Sequence, residues 1–217
     1  VEAVPVLLRR LLQEQQRFDW EVTKSKNAHG AGGLTKTGGL ERFVRHALRE
    51  PGCGGVLVLI DNDAVTKLGQ SDRLDDDCSP EFAGFLARRV RSASPVVPVS
   101  VVVARWEYEA WFLASLESIA GKPVKGLPGI PATARFDGDV EANRSPKGWI
   151  EARFPPGRKY SETRDQAPLT QLIDFGLAEE RSRSFRRLKH AVNQILESHA
   201  RGEDGVTPYE ASEEPHG

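Results

Sequence analysis

An α/β fold carrying a parallel sheet flanked by helices, with a C-terminal helical extension, is the class this chain predicts. Three observations lead to the α/β part: helical and strand-like patterns alternate along the first 120 residues, the strand candidates are near-continuous apolar runs, and the first of those runs ends on Asp61-Asn62-Asp63. Helices alternating with buried strands argue for parallel pairing through crossover connections. Strands covered on both faces read as unbroken Val, Ile and Leu rather than as alternating patterns.

Each element has its own signal. Val4, Leu7, Leu8, Leu11 and Leu12 recur at the spacing of an amphipathic helix, and Pro5 suits its first turn. Residues 18–22 alternate as a half-buried strand would, and a loop over 24–39 follows. Leu40, Phe43, Val44, Ala47 and Leu48 repeat the helical stripe until Pro51-Gly52 stops it. Residues 55–60 are the first apolar strand. Ser79-Pro80 supplies a cap and first position for a helix whose core face is Phe82, Phe85, Leu86 and Val90. Residues 96–104 make a second strand, broken only by Pro98 and Ser100, and Tyr108, Trp111, Phe112, Leu116 and Ile119 mark the next helix. A Pro- and Gly-rich excursion over 121–156 gives way to helices over 167–180 and 182–199, the latter with Phe185, Leu188, Val192, Ile195 and Leu196 inward. The expected organisation is a core over 1–120, an irregular and helical extension over 121–200 and an acidic flexible tail over 201–217. A doubly wound unit starts on a strand, whereas this chain starts at Val1 on a helix and contains no methionine, so a strand upstream of Val1 is expected.

Charge is balanced overall, with 30 Lys+Arg against 31 Asp+Glu. Five of those acids and no Lys or Arg lie in residues 203–217, so the body carries 30 basic against 26 acidic residues and is mildly basic. Two cysteines, Cys53 and Cys78, lack zinc or CxxC spacing and point to reduced thiols in a cytoplasmic protein. No apolar stretch is long enough for a membrane span.

Asp61 and Asp63 are the leading metal candidates. Ligands collect beyond the carboxyl ends of the strands in open α/β sheets, and Mg²⁺ or Mn²⁺ favours one or two carboxylates plus phosphate oxygens. Asp75, Asp76 and Asp77 precede the next helix, and Glu107 and Glu109 follow the next strand. A parallel sheet would bring all three sets to one edge, with Asp77 joining the metal ligands and Glu109 expected as a catalytic residue beside Asp61 and Asp63; Glu109 leans toward packed surface, where a carboxylate needs a partner or a cation. The run over 181–190 is strongly basic. Arg183 and Arg186 sit where a helix begins, and two readings stay open: a phosphate site, or a solvated face paired with Glu179 and Glu180.

Several segments together resemble one family. Val56-Leu-Val-Leu-Ile-Asp-Asn-Asp63, Asp76-Asp-Cys-Ser-Pro80, Arg105-Trp-Glu-Tyr-Glu-Ala-Trp-Phe-Leu113, Lys147-Gly-Trp149, Tyr160-Ser-Glu-Thr-Arg-Asp-Gln166 and Ser182-Arg-Ser-Phe-Arg186 are similar to the bacterial Toprim-like group known as domain of unknown function 4276. The resemblance implies a Toprim-like, Rossmann-like fold, in which Asp61 and Asp63 match the Asp-x-Asp that holds Mg²⁺, and a catalytic Glu precedes Val1. It implies a nuclease that works on nucleic acid, in anti-phage defence beside an ATPase partner, with Lys147, Arg183 and Arg186 positioning phosphates. A non-catalytic Toprim-like binding subunit is the alternative. Asp61-Asn-Asp-Ala-Val65 also fits the nucleophile motif of haloacid-dehalogenase-type phosphatases, but the later Asp pair comes too early in the chain for that family.

Overall fold

The computed structural model describes residues 2–26, 34, 36, 38–62 and 79–208. In chain order its elements are α1 (Ala3–Glu14), α2 (Gly39–Ala47), β1 (Val56–Asp61), α3 (Ser79–Arg91), β2 (Val99–Ala104), α4 (Ala110–Ala114), α5 (Leu116–Ile119), α6 (Pro146–Glu151), a π-helical turn (Glu162–Gln166), α7 (Ala167–Leu172), α8 (Phe175–Arg181), α9 (Arg183–Ala200) and β3 (Val206–Thr207). The chain divides into two units, one of Val1–Asn27 with Arg105–Arg186, the other of Ala28–Ala104 with Arg187–Gly217.

The second unit holds the sheet. Strand order is β1-β2-β3, and both pairings are parallel. Val56 stands opposite Val99 and Asp61 opposite Ala104, so α3 is the crossover that returns the chain to the same edge. All six β2 residues are buried, whereas β1 is half-buried except at Ile60. The difference follows from position: β2 is flanked on both sides, and β1 has one partner strand among the described residues. Val99, Val101 and Val103 pack with Ile60, the α2 residues Leu40 and Val44, and the α3 residues Phe82, Leu86 and Val90 in one apolar cluster. The polar exception on β2 is Ser100, whose hydroxyl pairs with Thr207 Oγ1 at 2.7 Å and reaches Ala191 O at 3.3 Å, which satisfies it inside the unit. Arg89 closes α3 onto α2 by a two-pronged bond to Glu41 at 2.9 Å on both oxygens.

In the first unit, α1 presents Ala3, Leu7, Leu11 and Leu12 as its buried stripe. Arg10 is half-buried and donates to the carbonyls of Thr170 and Ile173 at 2.7 and 2.8 Å, tying α1 to the end of α7. Trp111, Phe112, Phe175 and Phe185 form the aromatic heart of this unit, with Trp111 and Phe185 edge to face at 5.6 Å between ring centres.

Several expectations are corrected. Residues 18–22 form no strand: Phe18 is exposed, and a short alternating run with no strand to pair with among the described residues has nothing to hold it extended. The second strand begins at Val99 rather than at 96, because Pro98 has no N–H to contribute and Val96 lies in water. The helix expected over 108–119 breaks at Ser115, whose hydroxyl accepts the Asp174 N–H at 2.6 Å. The excursion over 121–156 contains α6. Within the stretch expected as a tail, Val206 and Thr207 are buried and pair with β2.

Candidate functional site

Asp61 closes β1 at the carboxyl edge of the parallel sheet, opposite Ala104. Hydrophobic residues carry the strand to Ile60, and the carboxylate arrives where the apolar cover ends. Asn62 comes next and is 1 % exposed. Asp63, Asp75, Asp76 and Asp77 lie outside the described residues, so of the expected metal ligands the structure places Asp61. Among the described residues no group of three or more His, Cys, Asp or Glu is arranged to hold a metal ion. Asp61 belongs to the second unit and Glu109 to the first.

Glu109 sits in a polar pocket of the first unit. The chain leaves β2 through a turn in which Trp106 takes a left-handed φ of 61° and donates its indole N–H to Glu141 O at 3.0 Å. That turn delivers Glu109 to the start of α4 with its side chain 1 % exposed. Its Oε1 accepts two hydrogen bonds, from the Tyr160 hydroxyl at 2.6 Å and from Gln166 Nε2 at 3.1 Å. Burial pushes the Glu109 carboxyl above the usual Glu range, against the opposing pull of the Tyr160 hydrogen bond and nearby Lys147. Burial beside the same carboxylate likewise drives the Tyr160 phenol up, so its O–H stays a donor. Glu109, expected as a catalytic residue, is thus enclosed and hydrogen-bonded by Tyr160 and Gln166 of its own unit.

Lys147, expected as a phosphate contact, is engaged inside the unit. Its backbone N–H bonds Glu107 Oε2 at 2.9 Å, and its ammonium lies 2.6 Å from Glu162 Oε1 and 3.7 Å from Glu107 Oε1. Burial opposes the charge, but the Glu162 hydrogen bond and the fields of Glu109 and Glu107 hold Lys147 above its ordinary value. Arg186 is exposed, yet its guanidinium donates to the carbonyls of Glu179 and Glu180 at 2.6 and 3.1 Å, so it caps the end of α8. Arg183 is exposed at the start of α9.

Sequence reasoning missed Tyr160, Gln166 and Asp165 as parts of a site. Asp165 has no exposure and accepts from Arg164 at 2.8 and 2.7 Å, from Arg158 at 3.0 Å and from the Ser161 N–H at 3.0 Å. Despite burial, which works the other way, those donors hold its carboxyl below the usual Asp range. Their one sequence signal was the polar segment over 160–166, in which Glu162–Gln166 fold as a π-helical turn with Tyr160 two residues before it and Gln166 at its end. A run of polar residues with no apolar period gives no hint that two of its members are buried.

The model of the family described as "Domain of unknown function (DUF4276)" matches residues 1–193. No curated protein and no solved structure matches the chain.

Proposed function

The chain belongs to the domain-of-unknown-function family DUF4276, and from that premise we propose that it is a Toprim-like, metal-dependent phosphodiester-cleaving enzyme of the nuclease class. The observation that carries this reading is the position of Asp61 at the carboxyl end of a parallel strand, next to a second parallel strand of matched register. Open parallel sheets bind their ligands at that edge.

A carboxylate there is a hard oxygen donor of the kind Mg²⁺ or Mn²⁺ takes, so Asp61 fits the implied ion, and Asp63 and Asp77 complete the proposed set from the sequence. Such an ion, when bound, supplies activation of a water and stabilisation of charge on the departing oxygen. Asp61 contributes the fixed anchor, because the β1–β2 ladder locks its backbone. Arg183 enters the proposal as an exposed contact for backbone phosphate, a role that positions without reading sequence. The cellular setting we assign is anti-phage defence in the cytoplasm beside an ATPase partner.

The test uses the full chain with DNA and RNA substrates and Mg²⁺ or Mn²⁺. Cleavage is expected, with loss on chelation and in Asp61→Ala. Cleavage that survives Asp61→Ala combined with Asp63→Ala would overturn the site.

One observation favours the second reading, a non-catalytic binding subunit: Lys147 and Arg186 are both engaged by their own chain. Calorimetry separates the two, since a binding subunit takes up no divalent metal and still holds its partner.

A further inference from the structure

We propose that the outer face of α2, formed by Arg42, Arg45 and His46 and extended by Arg49, is a docking surface for the phosphate backbone of a nucleic acid. The identity of this polyanion rests on the phosphodiester-cleaving reading, whereas the surface itself stands on the packing of α2 against α3.

That packing fixes which way α2 faces. Its buried residues are Gly39, Leu40, Glu41 and Val44. Leu40 and Val44 belong to the same apolar cluster as Phe82, Leu86 and Val90 of α3, and Arg89 of α3 grips Glu41 by both carboxylate oxygens. Arg42, Arg45 and His46 stand at i, i+3 and i+4, the spacing that gathers side chains on one stripe, and all three are exposed. Exposed Arg49 prolongs the stripe in a turn closed by its N–H to His46 O at 3.3 Å. Helix α3 adds Arg88, also exposed, immediately before the Arg89 that reaches α2.

The chain supplies these cations with little counter-charge. Among the described residues, Arg42, Arg49 and Arg88 make no ion pair and no side-chain hydrogen bond. The acid one turn before Arg45 is Glu41, which Arg89 already holds. The helix dipole favours Arg45 and His46 in the last turn of α2, but it gives Arg42, four residues from the start, no such support. Like charges three and four residues apart repel, so an anion from outside the chain is what offsets them.

The chemistry of the face selects among polyanions. Guanidinium forks match phosphate oxygens two at a time. A helix that lies on a membrane offers its apolar side to lipid, and the apolar side of α2 is buried in the core. A protein partner needs an aromatic or apolar anchor at the centre of its interface, and this stripe holds Arg and His alone. Arginines about one helical turn apart contact a backbone without reading bases, so docking is independent of sequence.

Binding of the full chain to two DNA duplexes of unrelated sequence, measured in EDTA over a series of salt concentrations, tests the proposal. The wild type is expected to bind both alike, with affinity falling steeply as salt rises, because each neutralised phosphate releases counterions. Arg42→Gln, Arg45→Gln and Arg49→Gln are each expected to weaken binding several-fold on both duplexes and to lower the slope of log K against log salt by about 1, the triple variant by about 3. Circular dichroism and Tm of all four variants should match wild type, since the substituted side chains are exposed. Arg181→Gln, which removes an arginine paired with Glu117 in the first unit, is expected to leave the slope unchanged. No DNA binding by the wild type, an unaltered slope in the triple variant, or tighter wild-type binding to polyglutamate or to phosphatidylserine vesicles than to DNA would overturn the proposal. Binding without cleavage once Mg²⁺ is supplied keeps the surface and removes the nuclease reading; cleavage with a salt slope that the three substitutions do not alter does the opposite.

Discussion

Tyr160 donates its hydroxyl hydrogen to Glu109 Oε1 across 2.6 Å, and both residues are buried. The bond joins the first turn of α4 to the segment that opens the π-helical turn, 51 residues later in the chain. Its consequence is a carboxyl whose proton depends on how the unit is folded.

The pH dependence of stability follows from that carboxyl. Burial raises Glu109 above its ordinary value of 4.5, so the folded chain holds the proton more tightly than the unfolded chain. From about 4.5 up to the raised value, stability therefore falls as pH rises. Glu109→Gln removes the titration and keeps the size. Its thermal stability relative to wild type is expected to improve steadily from acidic to neutral pH, and identical pH slopes for the two proteins would refute the assignment.

Tyr160→Phe deletes the donor without deleting the ring. A lost hydrogen bond to a buried acid costs about 1–3 kcal/mol. Since the Tyr160 bond also pulls Glu109 down, its removal is expected to extend the pH-sensitive window upward. Denaturant titrations at several pH values read both effects.

Arg89 and Glu41 make the second buried contact worth breaking. Their side chains are 14 % and 11 % exposed, and the Arg89 hydrogen bond holds Glu41 below its ordinary value. Arg89→Met leaves a carboxylate without its partner and is expected to cost about 2–3 kcal/mol at neutral pH. The pair's contribution is complete above about 4.5 and fades as pH falls through the depressed value, so the wild type is expected to lose this advantage in acid. Urea melts of both proteins at neutral and acidic pH check the convergence.

Gly55 faces a steric limit rather than an electrostatic one. A Cβ at this position would lie 2.3 Å from Ile195 Cγ2, at the point where α9 passes the start of β1. Gly55→Ala is expected to destabilise by about 1–3 kcal/mol through overpacking. Combining it with Ile195→Ala should recover part of that loss, and a double-mutant cycle showing simple additivity would contradict the contact.

Asp61→Asn tests the edge carboxylate directly. It preserves shape and removes charge, so the circular dichroism spectrum should match wild type while metal-dependent cleavage drops by about 100-fold or more. Retention of full activity would move the chemistry elsewhere.

How much of this was legible in the sequence differs by element. The stripe from Leu7 to Leu12, the unbroken valines of β2 and the Phe82–Leu86–Val90 face are periodic, and period reports burial directly. Asp61 was legible because a carboxylate following an apolar strand has few other places to go. By contrast, β3 is two residues long, too short for any period, and exists because β2 offers it a free edge. Nothing local distinguishes Val206 from the acidic residues around it.

By itself the sequence determined the alternation of helices and strands, the ends of most of them and the carboxylate that terminates β1, because these follow from side-chain pattern over a few consecutive residues. The tertiary structure alone decided that Lys147 and Arg186 are held by their own chain and that Glu109 is enclosed by Tyr160 and Gln166. The physical reason is that hydrogen-bond satisfaction and desolvation depend on which distant groups come within about 3 Å of each other, and no local pattern encodes that meeting.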